Sequence, residues 1–226
     1  MKMYLNGNWV DREEKIDVVN PFNGQVFDTV PKSSTEDILD AIASAERGAK
    51  VMAKMSGFER YDLLMKAVNL MQDRVDDLGK TITMEEGKVI SEGIGEAQRA
   101  IQTMTGAAEE AKRLSGEVIP LDGAPTWTGQ LGFTLRVPCG IVAAITPFNF
   151  PLNLVAHKVG PALAAGNAVI IKPASDTPLS ALKLTEILLE AGIPADAVQC
   201  LTGSGAAIGD ALVGDSRVRK VTFTGS

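Results

Sequence analysis

Four short apolar runs, separated by segments of helical periodicity, constrain the fold of this chain more than any other feature. The runs occupy residues 140–146, 167–173, 197–201 and 220–225. The first two consist largely of Val, Ile and Ala with little polar alternation, which is typical of strands buried on both faces. Such strands, when they alternate with helices, form a parallel sheet that is covered on both sides. The chain is therefore predicted to be an α/β protein with a doubly wound, Rossmann-like parallel sheet.

Prolines help to place the two helices predicted between the first three strands. Pro151 fits the first position of one helix, where the missing backbone donor is not needed. That helix is expected to break or restart at the Gly-Pro pair 160–161. Thr177 and Pro178 open the other helix, and Gly192 closes it.

The first 115 residues are predicted to contain a β-hairpin segment followed by helices. The stretches NGN at 6–8 and NPFNG at 20–24 are turn signals. Thr35 fits the N-cap of a first helix. Apolar residues at helical spacing indicate a second helix over 63–78 and a third over 94–111. The helical faces show no cluster of reactive side chains, so we expect these helices only to cover a core.

Residues 116–137, GEVIPLDGAPTWTGQLGFTLRV, differ in composition from the rest of the chain. They are rich in Gly, Pro and Thr, and polar and apolar residues roughly alternate, which indicates a β-hairpin arm. An arm outside the compact body often contacts a partner subunit. The segment is therefore predicted to be an oligomerisation arm.

Charge and cysteine content exclude several classes of protein. The net charge is −6, which gives no electrostatic reason to bind nucleic acid or an anionic membrane surface. The N-terminus does not resemble a signal peptide, and no apolar run is long enough to span a bilayer. The two cysteines form neither a disulfide framework nor a metal-ligand spacing. We therefore expect a cytoplasmic protein without a metal, a membrane partner or a nucleic-acid partner.

Ligands of doubly wound sheets bind beyond the carboxyl ends of the strands. Four distinctive stretches occupy those positions, one after each predicted strand. They are TPFNFP at 146–151, KPAS at 172–175, TGSGAAIG at 202–209 and FTGS at 223–226. Their shared position at one edge of the sheet indicates a binding site there.

Several residues in these stretches suit a dinucleotide. Gly203, Gly205 and Gly209 lie where a strand turns into a helix, so the backbone can approach a pyrophosphate closely. Their spacing is one residue longer than the usual fingerprint, and a tight turn would explain the same glycines. Lys172 could contact a ribose or phosphate or simply be solvated, and the neutral Ser175 would not repel a 2′-phosphate.

Asn149 has two possible roles. It lies between Phe148 and Phe150, and those rings lie between Pro147 and Pro151. Asparagine and proline are common in turns, so the role could be steric. Alternatively, the rings and prolines hold the side-chain amide rigid as a hydrogen-bond donor.

The histidine and the two cysteines are predicted to be structural. His157 is the only histidine and has no obvious partner in the sequence. Cys139 precedes the first strand and Cys200 lies within the third, and buried cysteines usually pack as small hydrophobic residues.

The stretches AITPFNFPLN, GPALAAGNAVIIKPAS, TGSGAAIG and FTGS, in this order and at these spacings, closely resemble the NAD(P)-dependent aldehyde dehydrogenase superfamily. The resemblance extends over the whole chain and includes NGNWV and NPFNG near the N-terminus. It is nearest to the branch that oxidises lactaldehyde, succinate semialdehyde and, without phosphorylation, glyceraldehyde 3-phosphate.

This resemblance implies an oxidoreductase that converts a small aldehyde to an acid through a cysteine thiohemiacetal, with NADP or NAD as cofactor. Asn149 matches the amide that holds the oxyanion, which makes it the implied catalytic residue. Ser175 replaces the glutamate often found in NAD-preferring members, which slightly favours NADP. The implied cofactor-binding positions are Ile145, Thr146, Pro147, Phe148, Lys172, Pro173, Ala174, Ser175, Gly205, Gly209, Gly225 and Ser226.

In the family, the nucleophilic cysteine and the glutamate base both follow the FTGS motif, with which this chain ends. Neither Cys139 nor Cys200 lies where the nucleophile belongs. The resemblance thus implies a cofactor-binding half that is inactive alone and belongs to a homo-oligomeric enzyme. Residues 1–115 would supply its N-terminal strands and helices, and 138–226 a truncated Rossmann-like dinucleotide-binding segment. A non-catalytic dinucleotide-binding or interaction module, or half of an acyl-CoA-forming relative, remain alternatives.

Overall fold

A computed structural model describes residues 1–225. The strands are β1 (Met3–Leu5), β2 (Asn8–Val10), β3 (Lys15–Asn20), β4 (Gln25–Pro31), β5 (Val118–Ile119), β6 (Gly132–Phe133), β7 (Ile141–Ile145), β8 (Ala168–Lys172), β9 (Val198–Cys200) and β10 (Val218–Phe223). The helices are α1 (Thr35–Met52), α2 (Gly57–Asp73), α3 (Val75–Glu86), α4 (Ile90–Ala111), α5 (Asn153–Ala164), α6 (Leu179–Glu190) and α7 (Gly205–Gly214).

Six strands form the main sheet, in the order β10-β7-β8-β9-β1-β2. The first four are parallel, whereas β1 and β2 form an antiparallel hairpin that joins the sheet beside β9. The central strands β7 and β8 are buried along almost their whole length, as expected for strands covered on both faces. The predicted doubly wound parallel sheet is confirmed, and the N-terminal hairpin extends it.

The order of the strands identifies where this sheet can bind a ligand. From β7 the chain proceeds to β8 and β9 on one side and then returns to place β10 on the other. Because such crossovers are right-handed, α5 and α6 cover one face and α7 covers the opposite one. Helices α2, α3 and α4 form a further layer against α5 and α6. The carboxyl ends of β7 and β10 therefore flank the topological switch point, where sheets of this type bind ligands.

The N-terminal helices begin and divide differently from the prediction. Ser34, and not Thr35, caps α1, because its Oγ accepts from the Asp37 N–H at 3.1 Å and the Asp37 carboxylate accepts from the Ser34 N–H at 2.9 Å. This reciprocal cap requires an acid three residues after the capping residue, and Ser34 has one where Thr35 does not. The predicted second helix is divided at Arg74 into α2 and α3.

The predicted break at the Gly-Pro pair 160–161 is wrong. Helix α5 continues through Pro161 to Ala164, although Pro161 cannot donate to the carbonyl of His157 one turn earlier. Both residues lie on the exposed side of α5, so water can replace the lost bond. Gly160 lies on the buried side, where a Cβ would come within 2.9 Å of the Ala107 Cβ.

The segment 116–137 forms the predicted hairpin, but its strands are short. Val118 pairs with Phe133 and Ile119 with Gly132, and two 3-10 turns lie between them. Val118 is 74% exposed and Leu131 is 78% exposed. The arm therefore presents apolar side chains to its surroundings instead of packing them into the core.

Candidate functional site

The carboxyl ends of β10, β7 and β8 are held together beyond their last paired residues. The Thr224 N–H donates to the Ile145 carbonyl at 3.1 Å, and the Thr146 N–H donates to the Lys172 carbonyl at 3.1 Å. The loops that follow these three strands therefore begin side by side. The structure brings the predicted positions Ile145–Phe148, Lys172–Ser175 and Gly225 to one edge of the sheet.

Lys172 provides a buried positive charge at this edge. It is 4% exposed, and burial lowers the pKa of its ammonium while the Asp176 carboxylate opposes that shift. Its Nζ lies 3.8 Å from the position that a Cβ would take on Gly205, the first residue of α7. The first N–H groups of a helix lack partners within the helix and attract anions. Lys172 and α7 together form an environment that suits a negatively charged group.

The glycines after β9 have different roles. Gly203 has φ +152°, and a Cβ there would lie 2.8 Å from the Ile208 Cδ1, so the turn itself requires glycine. A Cβ on Gly209 would meet no atom within 4 Å. Packing therefore explains why position 203 is a glycine but does not explain the glycine at 209, where the open space could accommodate a ligand. Gly225 follows β10, and the predicted Ser226 lies outside the described residues.

Ser175 is hydrogen-bonded within the protein. Its Oγ donates to the Gly203 carbonyl at 2.9 Å, which ties the loop after β8 to the loop after β9. The side chain is half-buried, whereas Pro173 before it is buried and Asp176 after it is exposed. Sequence reasoning missed Asp176, a carboxylate close enough to Lys172 to affect its pKa.

Asn149 lies in the loop after β7, at the switch point. Phe148 is 58% exposed and Phe150 is 42% exposed, so these rings do not enclose it as the sequence suggested. The Asn149 backbone carbonyl accepts from the Lys88 ammonium at 2.6 Å, which also lies 3.9 Å from the centroid of the Phe150 ring. The loop is thus held by a residue from the helical layer, and the exposed Asn149 side chain remains available to a ligand.

Two buried glutamates in that layer were missed by the sequence analysis. Glu96 Oε1 accepts from the backbone N–H groups of Leu152 and Asn153 at 3.0 and 3.1 Å. Glu85 accepts from those of Leu179 and Ser180 at 2.7 and 3.0 Å. Each glutamate therefore caps a helix that begins near the site, α5 or α6.

The N-terminal helices cover the core as expected, and two of their side chains also cap other helices. A signal was present in the sequence, because Glu96 and Glu85 occupy positions on the buried stripes of α4 and α3. A charged residue at such a position requires a partner, and here the partners are the free N–H groups of other helices.

A second buried lysine joins α5 to the end of β10. Lys158 donates to the Thr224 Oγ1 at 2.6 Å, and burial lowers the pKa of its ammonium. At the end of the neighbouring strand β7, the Thr146 Oγ1 is buried and has no hydrogen-bond partner among residues 1–225. Polar groups buried without a partner are uncommon in proteins, so Thr146 is a position where a ligand group would be favourable.

Neither cysteine is placed to react at Asn149. Cys139 precedes the amino end of β7, so a strand of five residues, roughly 16 Å long, separates it from the loop that holds Asn149. Cys200 is buried within β9, and burial raises the pKa of its thiol to about 12. His157 is exposed on α5.

Across residues 1–225, no three His, Cys, Asp or Glu side chains lie close enough together to hold a metal ion. Over the same range, no helix combines the length and apolarity needed to cross a membrane.

The parallel sheet, its covering helices and the loops at its switch point define an α/β protein with a Rossmann-like sheet. The chain belongs to the aldehyde dehydrogenase family, whose model matches residues 9–226.

Several known proteins are similar to this chain in sequence and in structure. The chain is 46% identical to a 3-sulfolactaldehyde dehydrogenase of Priestia megaterium, over 99% of this chain and 46% of that protein. It is 41% identical to the succinate-semialdehyde dehydrogenase [NADP(+)] of Escherichia coli, over 98% of this chain and 46% of that protein. The fold also matches the structure of aldehyde dehydrogenase 21 from Physcomitrella patens, which was solved in complex with the reaction product succinate. The TM-score is 0.94 at 42% identity, and the match covers 100% of this chain and 47% of that one. The chain thus spans about half the length of these relatives.

Proposed function

We propose that this chain forms the cofactor-binding half of an enzyme that oxidises a small aldehyde to a carboxylic acid with NADP or NAD. The observation that carries the proposal is the position of Asn149. Its side-chain amide is exposed at the switch point of the sheet, on the edge that also holds Lys172 and the N-terminus of α7. A hydrogen-bond donor and an anion-binding environment therefore lie on the same edge.

The residues at this edge fit a nicotinamide dinucleotide. Lys172 and the first N–H groups of α7 suit its phosphate or ribose oxygens. Thr146 Oγ1, without a protein partner in the described part of the chain, would gain a polar contact. Pro147 and Phe148 offer an apolar wall. When bound, the nicotinamide supplies the hydride acceptor that aldehyde oxidation requires.

Asn149 would donate its side-chain N–H to the aldehyde oxygen while a cysteine thiolate adds to the carbonyl carbon. Negative charge develops on that oxygen, and a donor already in place stabilises it without reorganisation. The proposal assigns the cysteine and the glutamate that activates water to residues that follow the FTGS motif in the longer relatives.

The 226-residue chain alone is expected to bind the cofactor but to produce no NADPH or NADH from short aldehydes. Its exposed thiol lies at the opposite end of β7 from Asn149, and its other thiol is buried. Fluorescence of the reduced nicotinamide would follow turnover, and isothermal titration would follow binding. Steady turnover would overturn the expectation, and Cys139→Ala and Cys200→Ala would then identify the thiol responsible. Absence of cofactor binding by a folded chain would contradict the proposed function itself.

Ser175→Glu is expected to lower the preference for NADP over NAD in the protein that the gene encodes. A carboxylate at this position would repel the 2′-phosphate, by about 1 kcal/mol for like charges 4 Å apart in water-like surroundings, or roughly fivefold. The measurement is kcat/KM for each cofactor. Ser115→Glu, which adds the same charge on an exposed residue just before the arm, is the control. An unchanged cofactor ratio in Ser175→Glu would show that Ser175 only joins the two loops.

We further propose that the chain is organised as 1–115, 116–137 and 138–226. The first and last parts would form one cofactor-binding domain, which the pairing of β1 with β9 supports. The exposed apolar residues of the arm support its proposed role in a homo-oligomer. The relatives act on lactaldehyde- and semialdehyde-type compounds by name, which supports a small aldehyde as substrate. Two free cysteines fit a reducing, cytoplasmic compartment.

A further inference from the structure

The Lys88 side chain makes several contacts at the start of α4. Its ammonium donates to the Asn149 carbonyl at 2.6 Å and to the Glu96 Oε2 at 2.8 Å, and it lies over the Phe150 ring. The Glu86 Oε2, which is buried without a hydrogen-bond partner among residues 1–225, is 3.6 Å away. Only 15% of the Lys88 side chain is exposed. A lysine on the surface for solubility alone would not be enclosed in this way.

The Glu96 carboxylate uses both of its oxygens. Oε2 accepts from Lys88, while Oε1 accepts from the N–H groups of Leu152 and Asn153. Its side chain is 1% exposed. The carboxylate is therefore stabilised by one ammonium and by the N-terminus of α5, a combination that compensates for burial of a charge.

These contacts hold the second half of the loop between β7 and α5, from Asn149 to the start of α5. Lys88 fixes the peptide group between Asn149 and Phe150, and Glu96 fixes the first turn that follows. Thr103 adds a contact from α4 to the Asn153 Oδ1 at 3.0 Å. The backbone that carries the Asn149 side chain is thus held by residues from another part of the chain. Phe148 and Phe150 are exposed, so burial of these rings does not hold it.

We propose that Lys88 and Glu96 are a positioning pair that sets the orientation of the Asn149 amide. The inference rests on the proposed function, since it assigns a purpose to the position of that amide. Neither residue needs to touch the substrate or cofactor. Their effect is to keep a donor in the geometry in which developing charge is stabilised, where misplacement by about 1 Å can cost on the order of 10²-fold in rate.

Lys88→Met is the main test, because methionine keeps most of the apolar side chain and removes the ammonium. Lys112→Met is the matched control. Lys112 also lies over an aromatic ring, with Nζ 3.5 Å from the Tyr61 centroid, and also pairs with a glutamate, Glu109 at 3.1 Å. It is 16 residues further along the chain from Glu96, about 24 Å along α4. Lys88→Arg and Glu96→Gln complete the set.

Two measurements separate the pair from the function on which it rests. Hydrogen exchange of the backbone over 149–153, in the 226-residue chain, is expected to become faster in Lys88→Met and Glu96→Gln and to remain unchanged in Lys112→Met. In the protein that the gene encodes, kcat is expected to fall roughly 10- to 100-fold in Lys88→Met, with the Kd of the cofactor within about twofold and partial recovery of kcat in Lys88→Arg.

Each contrary result has a distinct meaning. Unchanged exchange in Lys88→Met and Glu96→Gln overturns the positioning pair whatever the activity. If Asn149→Ala lowers kcat but Lys88→Met does not, the pair is overturned and the role of Asn149 stands. If Asn149→Ala itself leaves kcat unchanged, the proposed function fails and the pair fails with it. Equal losses in Lys88→Met and Lys112→Met would also overturn the pair, because the effect would then be general destabilisation.

Discussion

Asn149→Ala is expected to lower the turnover number of the protein that the gene encodes by about 10²- to 10³-fold, the usual effect of removing one oxyanion donor. The side chain is exposed at the switch point, while its backbone is held by Lys88. Truncation should therefore remove the donor without disturbing the fold. In the proposed reaction the amide would act on charge that develops during the chemical step, so the loss should appear in kcat and leave the Kd of the cofactor nearly unchanged.

Two further variants make this result specific. Asn149→Asp keeps the shape of the side chain but replaces the donor by a negatively charged acceptor, so its loss of turnover should be at least as large. Asn23→Ala removes an asparagine from the exposed turn before β4, where its Oδ1 accepts from the Gln25 N–H, and should leave turnover unchanged. A loss confined to cofactor affinity would return Asn149 to the role of a turn residue.

Glu85 is expected to make the stability of the chain depend on pH between about 4.5 and 7. Burial raises the pKa of its carboxyl from 4.5 to about 7, although hydrogen bonds from Ser180 and Leu179 oppose the shift. The folded state therefore binds a proton more tightly than the unfolded state. Its contribution to the free energy of unfolding is fully present below pH 4.5 and is lost as the pH rises to 7. The difference in pKa corresponds to roughly 3 kcal/mol.

Glu85→Gln should remove this dependence, because glutamine stays neutral over the whole range. The measurement is urea unfolding of both proteins at several pH values, in which the stability of the parent relative to the variant should decline between pH 4.5 and 7. Glu59→Gln is the control. Glu59 also caps a helix, α2, but it is exposed, and hydrogen bonds from the Ser56 N–H and Oγ lower the pKa of its carboxyl. Its effect should therefore have the opposite sign, with stability lost as the pH falls through the lowered pKa. A parallel pH dependence in the parent and Glu85→Gln would contradict the assignment.

Much of the fold could be predicted because the apolar runs decide it locally. The runs at 140–146 and 167–173 became β7 and β8, whose residues are buried because both faces of the sheet are covered. The carboxyl edge of the sheet could also be predicted, since parallel strands place the residues that follow them on the same side. That the loops after β7, β8 and β10 share one edge was thus predictable, whereas the pairing of β10 with β7 was decided by the tertiary structure.

The helix boundaries were less predictable where two local signals competed. Ser34 and Thr35 are both good capping residues, and the acid at position 37 decided between them. Local sequence rules predict that the Gly-Pro pair ends helix α5, because proline lacks a backbone donor. The pair is tolerated because Gly160 packs closely against α4 and Pro161 is on the exposed side, a distinction that depends on which face of the helix is covered.

The sequence by itself determined the parallel strands, the binding edge of their sheet and the residues placed on that edge, because these follow from hydrophobic periodicity and from the alternation of strands and helices. Only the tertiary structure decided what holds the edge in place. Glu96 contacts residues more than 50 positions later in the chain, and Glu85 contacts residues more than 90 positions later. No local pattern specifies such partners. A buried carboxylate requires donors, and the unpaired N–H groups at the start of α5 and α6 require acceptors, but only the packing of α3 and α4 against those helices determines which carboxylate meets which helix.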